Sequence, residues 1–152
     1  MRLIQTALLF LALSGAASAV PEPTAGPEVS KFSVSFELGG PGYYYTLWGS
    51  YRPIESLAVN VGLSVSAIVV VPVTASWLLF GPTHHLEISG GGEIVDPGAL
   101  SIFGASTGIA PLFSVGYRYW EPGGGLDFRA AAYVLFGANV VVWPGISAGY
   151  TF

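Results

Sequence analysis

Few side chains in this 152-residue sequence can do chemistry, and their spacing limits what that chemistry could be. Cysteine is absent, which removes thiol nucleophiles, thiolate metal sites, disulfides and a lipidated N-terminal Cys. The histidines, His84 and His85, are adjacent. Neighbours in a strand point to opposite faces, so these two cannot chelate one ion together. His85 and Glu87 share a face and make only a weak metal pair. A serine hydrolase needs Ser and His within hydrogen-bond reach, whereas Ser89 lies roughly 13 Å along a strand from His85. The glycine runs at 90–92 and 123–125 precede neither a helix nor a GK[ST] motif, so phosphate cradling is not indicated. No catalytic residue, cofactor or metal is expected. What remains is a set of charges: the acids Glu37, Glu87 and Asp127, and the bases Arg52, Arg118 and Arg129.

Charge is scarce in this chain, so its placement is informative. Only 9% of residues are charged and 52% are hydrophobic, against a usual charged share of about 25%. Mean hydropathy is +0.62. Such a chain cannot cover a water-facing surface comfortably. It has no basic face for nucleic acid, and its apolar content excludes disorder.

Residues 1–19 read as a secretory signal peptide: Met1-Arg2, an apolar stretch from Leu3 to Leu13, then Ala17-Ser18-Ala19 before the cleavage point. Residues 20–30, rich in Pro, Glu and Gly, read as a flexible tail. Residues 31–152 form one domain. Its longest apolar stretch, 67–80, is interrupted by Pro72 and falls short of the ~18–20 residues a spanning helix needs.

Period-two alternation marks eight strands, at 31–38, 43–52, 57–66, 71–80, 84–92, 109–120, 125–135 and 144–152. Phe32, Val34, Phe36 and Leu38 oppose Ser33, Ser35 and Glu37. Leu57, Val59, Val61, Leu63 and Val65 oppose Asn60, Gly62 and Ser64. The large residues are apolar and the opposite face is mostly small: Ser, Thr, Gly, Ala. A soluble sheet would carry Lys, Glu and Gln on its water face. The pattern instead fits an all-β, eight-stranded antiparallel up-and-down transmembrane β-barrel, whose tight interior admits modest side chains while the apolar face meets lipid. A nine-residue strand tilted by ~40° spans about 23 Å, close to the ~25 Å apolar band of such barrels. Short connections follow strands two, four and six. Longer loops, 93–108 and 136–143, fall on the opposite side. Tyr43, Tyr51, Trp77, Tyr117, Tyr119, Trp143 and Tyr150 sit near strand ends, as interfacial girdles do.

The chain ends Ile146-Ser147-Ala148-Gly149-Tyr150-Thr151-Phe152. A terminal Phe with an aromatic two residues before it resembles the assembly signal of bacterial outer-membrane β-barrels, which implies that Tyr150 and Phe152 engage the barrel assembly machinery. Gly116-Tyr117-Arg118-Tyr119, Gly124-Gly125-Leu126-Asp127-Phe128-Arg129, Trp143-Pro144-Gly145 and His85-Leu86-Glu87 resemble a group of small uncharacterised outer-membrane barrels of the OmpA/OmpX-like architecture. The resemblance covers roughly 31–152. It implies bacterial outer-membrane insertion among outer-membrane lipids and carries no activity.

Strand parity turns Glu37, Glu87, Asp127, Arg52, Arg118 and Arg129 inward. The expectation is a balanced lumen ion-pair cluster in which Arg118 bridges Glu87 and Asp127, with Glu37 toward the outer end. Such a cluster fills the lumen. The expected role is structural or loop-mediated interaction, with an unknown extracellular ligand. The alternatives are a lipid A-modifying outer-membrane enzyme and a soluble lipocalin-like ligand binder.

Overall fold

The computed structural model describes residues 30–65, 69–95, 108–136 and 140–152. Eight strands follow in chain order: β1 (Phe32–Gly39), β2 (Tyr45–Ile54), β3 (Leu57–Val65), β4 (Val69–Leu79), β5 (His84–Val95), β6 (Ile109–Trp120), β7 (Gly125–Phe136) and β8 (Val140–Thr151). Each pairs antiparallel with the next, and β8 returns to β1, so the sheet is a closed up-and-down barrel. Closure leaves no unpaired edge. The β2–β3, β4–β5 and β6–β7 connections share one end, called here the turn end; the other is the loop end. The proposed leader lies outside the described residues, as does the tail apart from its last residue. That residue, Ser30, is held at the turn end, where its N–H donates to the Pro122 carbonyl at 2.6 Å.

Faces alternate along every strand. In β1 the inward Ser33, Ser35 and Glu37 are buried, while Phe32, Val34, Phe36 and Leu38 are exposed. In β3 the inward residues are Ala58, Asn60, Gly62 and Ser64. The outward side chains are therefore mostly large and apolar and the inward ones mostly small and polar, with Trp48, Trp120, Tyr133 and the charged residues as the large inward exceptions.

The strands β4, β5, β7 and β8 are longer than the alternation alone suggested, and three expectations change. β5 runs past the glycine run to Val95, so Glu93 is a buried strand residue rather than the start of a loop. β8 begins at Val140 and pairs Val140 through Trp143 with Phe136 through Tyr133, so most of the expected 136–143 loop is strand. β-branched and aromatic residues on both sides favour continuing that ladder. The remaining loop positions, 96–107 and 137–139, lie outside the described residues. β2 starts at Tyr45, not Tyr43, because the chain first folds inward as a short 3₁₀ turn, Gly40–Gly42, whose residues are all buried. Gly39 and Gly40 adopt φ of 76° and 69° to make that entry, a region open to glycine.

Apolar clusters close the lumen at both ends. Ala58, Leu78 and Trp120 meet at the turn end. Leu112, Tyr133 and Leu135 meet at the loop end, with Tyr43 and Val141 packed on them. Inward glycines let the wall bend where a side chain would strike backbone. A Cβ on Gly91 would lie 2.0 Å from the Val73 carbonyl oxygen, and one on Gly149 would lie 2.1 Å from that of Val34. A Cβ on the outward Gly90 would meet nothing within 4 Å. Gly91→Val and Gly149→Val should therefore each destabilise the barrel by about 1–3 kcal/mol through overpacking. Gly90→Val should leave stability unchanged or raised. Urea unfolding midpoints of the three variants check this contrast.

Candidate functional site

The lumen is where this chain concentrates its polar chemistry. Arg118, on β6, is 1% exposed and its guanidinium is the hub. Its Nε and Nη2 donate to Asp127 at 3.1 and 2.8 Å. Nη2 also reaches Ser33 and Ser50 at 3.3 and 3.1 Å, and Nη1 donates to Asn60 Oδ1 at 3.1 Å. Asp127 takes a further hydrogen bond from Ser33. Nη1 lies 3.7 Å from Glu87. The guanidinium stacks 4.3 Å from the Trp120 ring centroid. Every arm of the fork thus has a partner, the condition under which a buried charge is tolerable.

Glu87 extends the network up the barrel. Its Oε1 accepts from Ser76 at 2.7 Å and Ser89 at 3.0 Å, and pairs with Arg129 Nη2 at 3.0 Å. Asn60 ties the two halves together, donating to Thr74 and Ser76 at 3.1 and 2.7 Å while accepting from Arg118. Arg129 in turn lies over two aromatic faces, 5.5 Å from the Trp48 centroid and 5.3 Å from that of Tyr133. Both aromatics end on Glu37: Trp48 Nε1 and the Tyr133 hydroxyl each donate to its carboxylate at 2.6 Å.

The six charges expected in one cluster separate into three environments. Glu87, Arg118, Asp127 and Arg129 are joined by direct ion pairs. Glu37 joins only through Trp48 and Tyr133; among the described residues no basic group lies within 4.0 Å of it. Arg52 stands apart at the turn end, where Nε and Nη2 donate to the Glu55 carbonyl at 3.0 and 2.6 Å. Parity fixed which way these side chains point. It could not say which of them meet, because that depends on how far adjacent strands are staggered around the barrel.

A seventh charge escaped the sequence reading. Glu93 is 2% exposed and shares a side-chain hydrogen bond with Tyr43, which anchors the inward turn. The signal was present: 85, 87, 89, 91 and 93 keep one parity through the glycine run. Burial, reinforced by the Glu93 carboxylate, holds the Tyr43 phenol well above its usual range. Trp143 Nε1 donates to the Tyr43 carbonyl at 3.1 Å, and Ser64 Oγ donates to that of Gly42 at 3.2 Å. His84 and His85 face opposite sides. His84 contacts the Tyr117 hydroxyl at 2.6 Å outside, and His85 is buried inside. At the C-terminus Tyr150 points outward against Phe152, ring centroids 5.1 Å apart, and the Phe152 N–H donates to the Phe32 carbonyl at 2.8 Å. Among the described residues no group of three or more His, Asp and Glu could hold a metal ion.

No protein-family model matches the chain, and no curated protein matches it. Solved structures do. The N-terminal β-barrel domain of Pseudomonas aeruginosa OprF is similar with a TM-score of 0.51 at 12% identity, over 79% of this chain and 97% of that one. The de novo designed TMB2.3 is similar with a TM-score of 0.52 at 12% identity, over 84% of this chain and 97% of that one. At this identity the likeness is one of fold, an eight-stranded barrel.

Removing one partner from a buried ion pair costs about 3–5 kcal/mol, because the other charge is left uncompensated. Arg118→Met should lose stability on that scale. Adding Asp127→Asn should recover a large part of the loss, because Glu87 keeps its pairing with Arg129. Denaturant unfolding of the single and double variants measures the coupling.

Proposed function

We propose that this protein is an integral β-barrel of the bacterial outer membrane, with a lumen filled by side chains and a structural or loop-mediated interaction role. One observation carries the membrane reading: none of the outward positions of the eight described strands holds Asp, Glu, Lys or Arg. The outward centre is Val59, Val61, Leu63, Val73, Phe113 and Val115, all exposed. Aromatics border it at the turn end, with Tyr51, Trp77, Tyr117, Tyr119 and Tyr150, and at the loop end, with Tyr45 and Phe136. Trp77 is 62% exposed and Val142 is 63% exposed, which water would penalise and an interface or lipid would not. The exposed Lys31 and Glu55 lie at the turn end, outside the strand centres. The fold likeness to the OprF barrel domain and the designed TMB2.3 supports the same reading.

The outward placement of the large apolar side chains opposes the lipocalin-like alternative, which needs them inside. The closed apolar clusters at both lumen ends favour a filler over a pore. We propose no catalytic role. His85 is enclosed in the wall, and Ser89 is hydrogen-bonded to Glu87. Lipid A mass spectra from deletion and parent strains that differ would contradict this.

Membrane fractionation with a heat-dependent gel shift tests the central reading. A soluble periplasmic chain with no shift would overturn it. Val61→Arg makes a sharper test. At mid-band, charge facing lipid should cost about 2–4 kcal/mol. On a water-facing surface the same change would stay within about 0.5 kcal/mol. Unfolding from lipid vesicles distinguishes the two. Planar bilayers carrying the protein should show no conductance steps, because eight strands leave an interior that side chains fill.

A further inference from the structure

We infer that the turn end of the lumen holds a binding site for a small oxyanion, a phosphate or carboxylate, formed by Arg52 and His85 beside the Trp120 indole. Arg118 and Arg129 each pair with a carboxylate. Arg52 is equally buried, at 3% exposure, yet among the described residues no carboxylate lies within 4.0 Å of it. The Glu55 carboxylate acts on it only through space. Its Nε and Nη2 are both spent on the Glu55 carbonyl, which fixes the guanidinium plane. Nη1 is then left buried without an acceptor.

His85 has the same defect. It is 2% exposed, and neither ring nitrogen has a partner in hydrogen-bond geometry, although the Pro82 carbonyl faces the ring. It stands opposite Arg118 in the β5–β6 register, and the Arg52 charge acts on its ring. Trp120 lies against two guanidiniums. Its centroid is 5.7 Å from the Arg52 guanidinium and 4.3 Å from that of Arg118, and its Nε1 donates to the Ser30 carbonyl at 3.2 Å, which holds the ring. The buried carboxylates Glu87 and Asp127 are already held by Arg118 and Arg129.

The unused group on Arg52 is a donor, and the His85 imidazole can donate as well. A cation is disfavoured beside an unpaired guanidinium. A neutral acceptor would satisfy the N–H groups and leave the charge. An oxyanion satisfies both, and charge-assisted bonds to guanidinium and imidazole are the strong class.

The test uses the chain folded in dodecyl maltoside and titrated with inorganic phosphate, sodium chloride holding ionic strength constant. The Arg52 Nε–H, Trp120 indole N–H and His85 ring-nitrogen resonances are followed by NMR. Saturable shifts in these groups are expected. Arg52→Gln should abolish them, and His85→Leu should weaken binding roughly tenfold or more. A site filled by water alone would show no saturation and would overturn the proposal. So would a heat-shifting, folded Arg52→Gln barrel that titrates like the parent. Should Arg52→Gln fail to fold, unchanged affinity in His85→Leu overturns it instead. Reconstitution in phosphatidylcholine or phosphatidylglycerol nanodiscs separates the sources. Shifts in phosphatidylglycerol without added phosphate identify a lipid headgroup, and shifts only on adding phosphate identify the free anion.

Discussion

The constraint on which the rest depends is the narrowness of the lumen. Eight strands close around a space that side chains fill, so most inward polar groups find a partner on another strand. Arg118 is the clearest consequence. It collects Asp127 from β7, Glu87 from β5, Asn60 from β3, Ser50 from β2 and Ser33 from β1. One guanidinium fork cross-links most of the wall. The small inward residues follow from the same constraint. Serines at 33, 50, 76 and 89 supply hydroxyls without bulk, and glycines at 91 and 149 supply room where the wall turns.

Closure also sets the outside. With the described strands hydrogen-bonded to a neighbour on each side around the barrel, the surface has little need of water to satisfy its backbone, and the outward positions are free to be apolar. That is the condition hydrocarbon imposes on a spanning structure. The inversion of large-apolar and small-polar faces, relative to a soluble barrel, is one pattern seen from two sides.

The interior is not uniformly satisfied. Its middle, from Arg118 to Glu37, is an interlocked network of ion pairs, hydroxyls and aromatic faces. Toward the loop end Glu93 leans on Tyr43 with one oxygen unpartnered, and toward the turn end Arg52 and His85 keep unpartnered nitrogens. Buried polar networks are costly when partly satisfied. The central network also keeps unpartnered atoms, Glu87 Oε2 and Arg129 Nε, although both residues are ion-paired.

The sequence by itself determined the strand number, the faces and the sign of each inward charge, because a strand's side chains alternate whatever their neighbours do. It carried Ser33 and Glu37 inward and Val61 outward without help. Its boundaries failed where alternation weakened, at the glycines of β5 and at Val140 through Trp143. There the pairing partner, not the local residue, decides whether the strand continues. Only the tertiary structure decided who meets whom. Glu37 ended on Trp48 and Tyr133 rather than on an arginine, Arg52 ended on a backbone carbonyl, and Glu93 entered the lumen to hold Tyr43. These outcomes depend on strand stagger and on the inward fold of Gly40–Gly42, both properties of the closed sheet as a whole. A period of two fixes a side chain's direction; only the register of the closed ladder fixes its height.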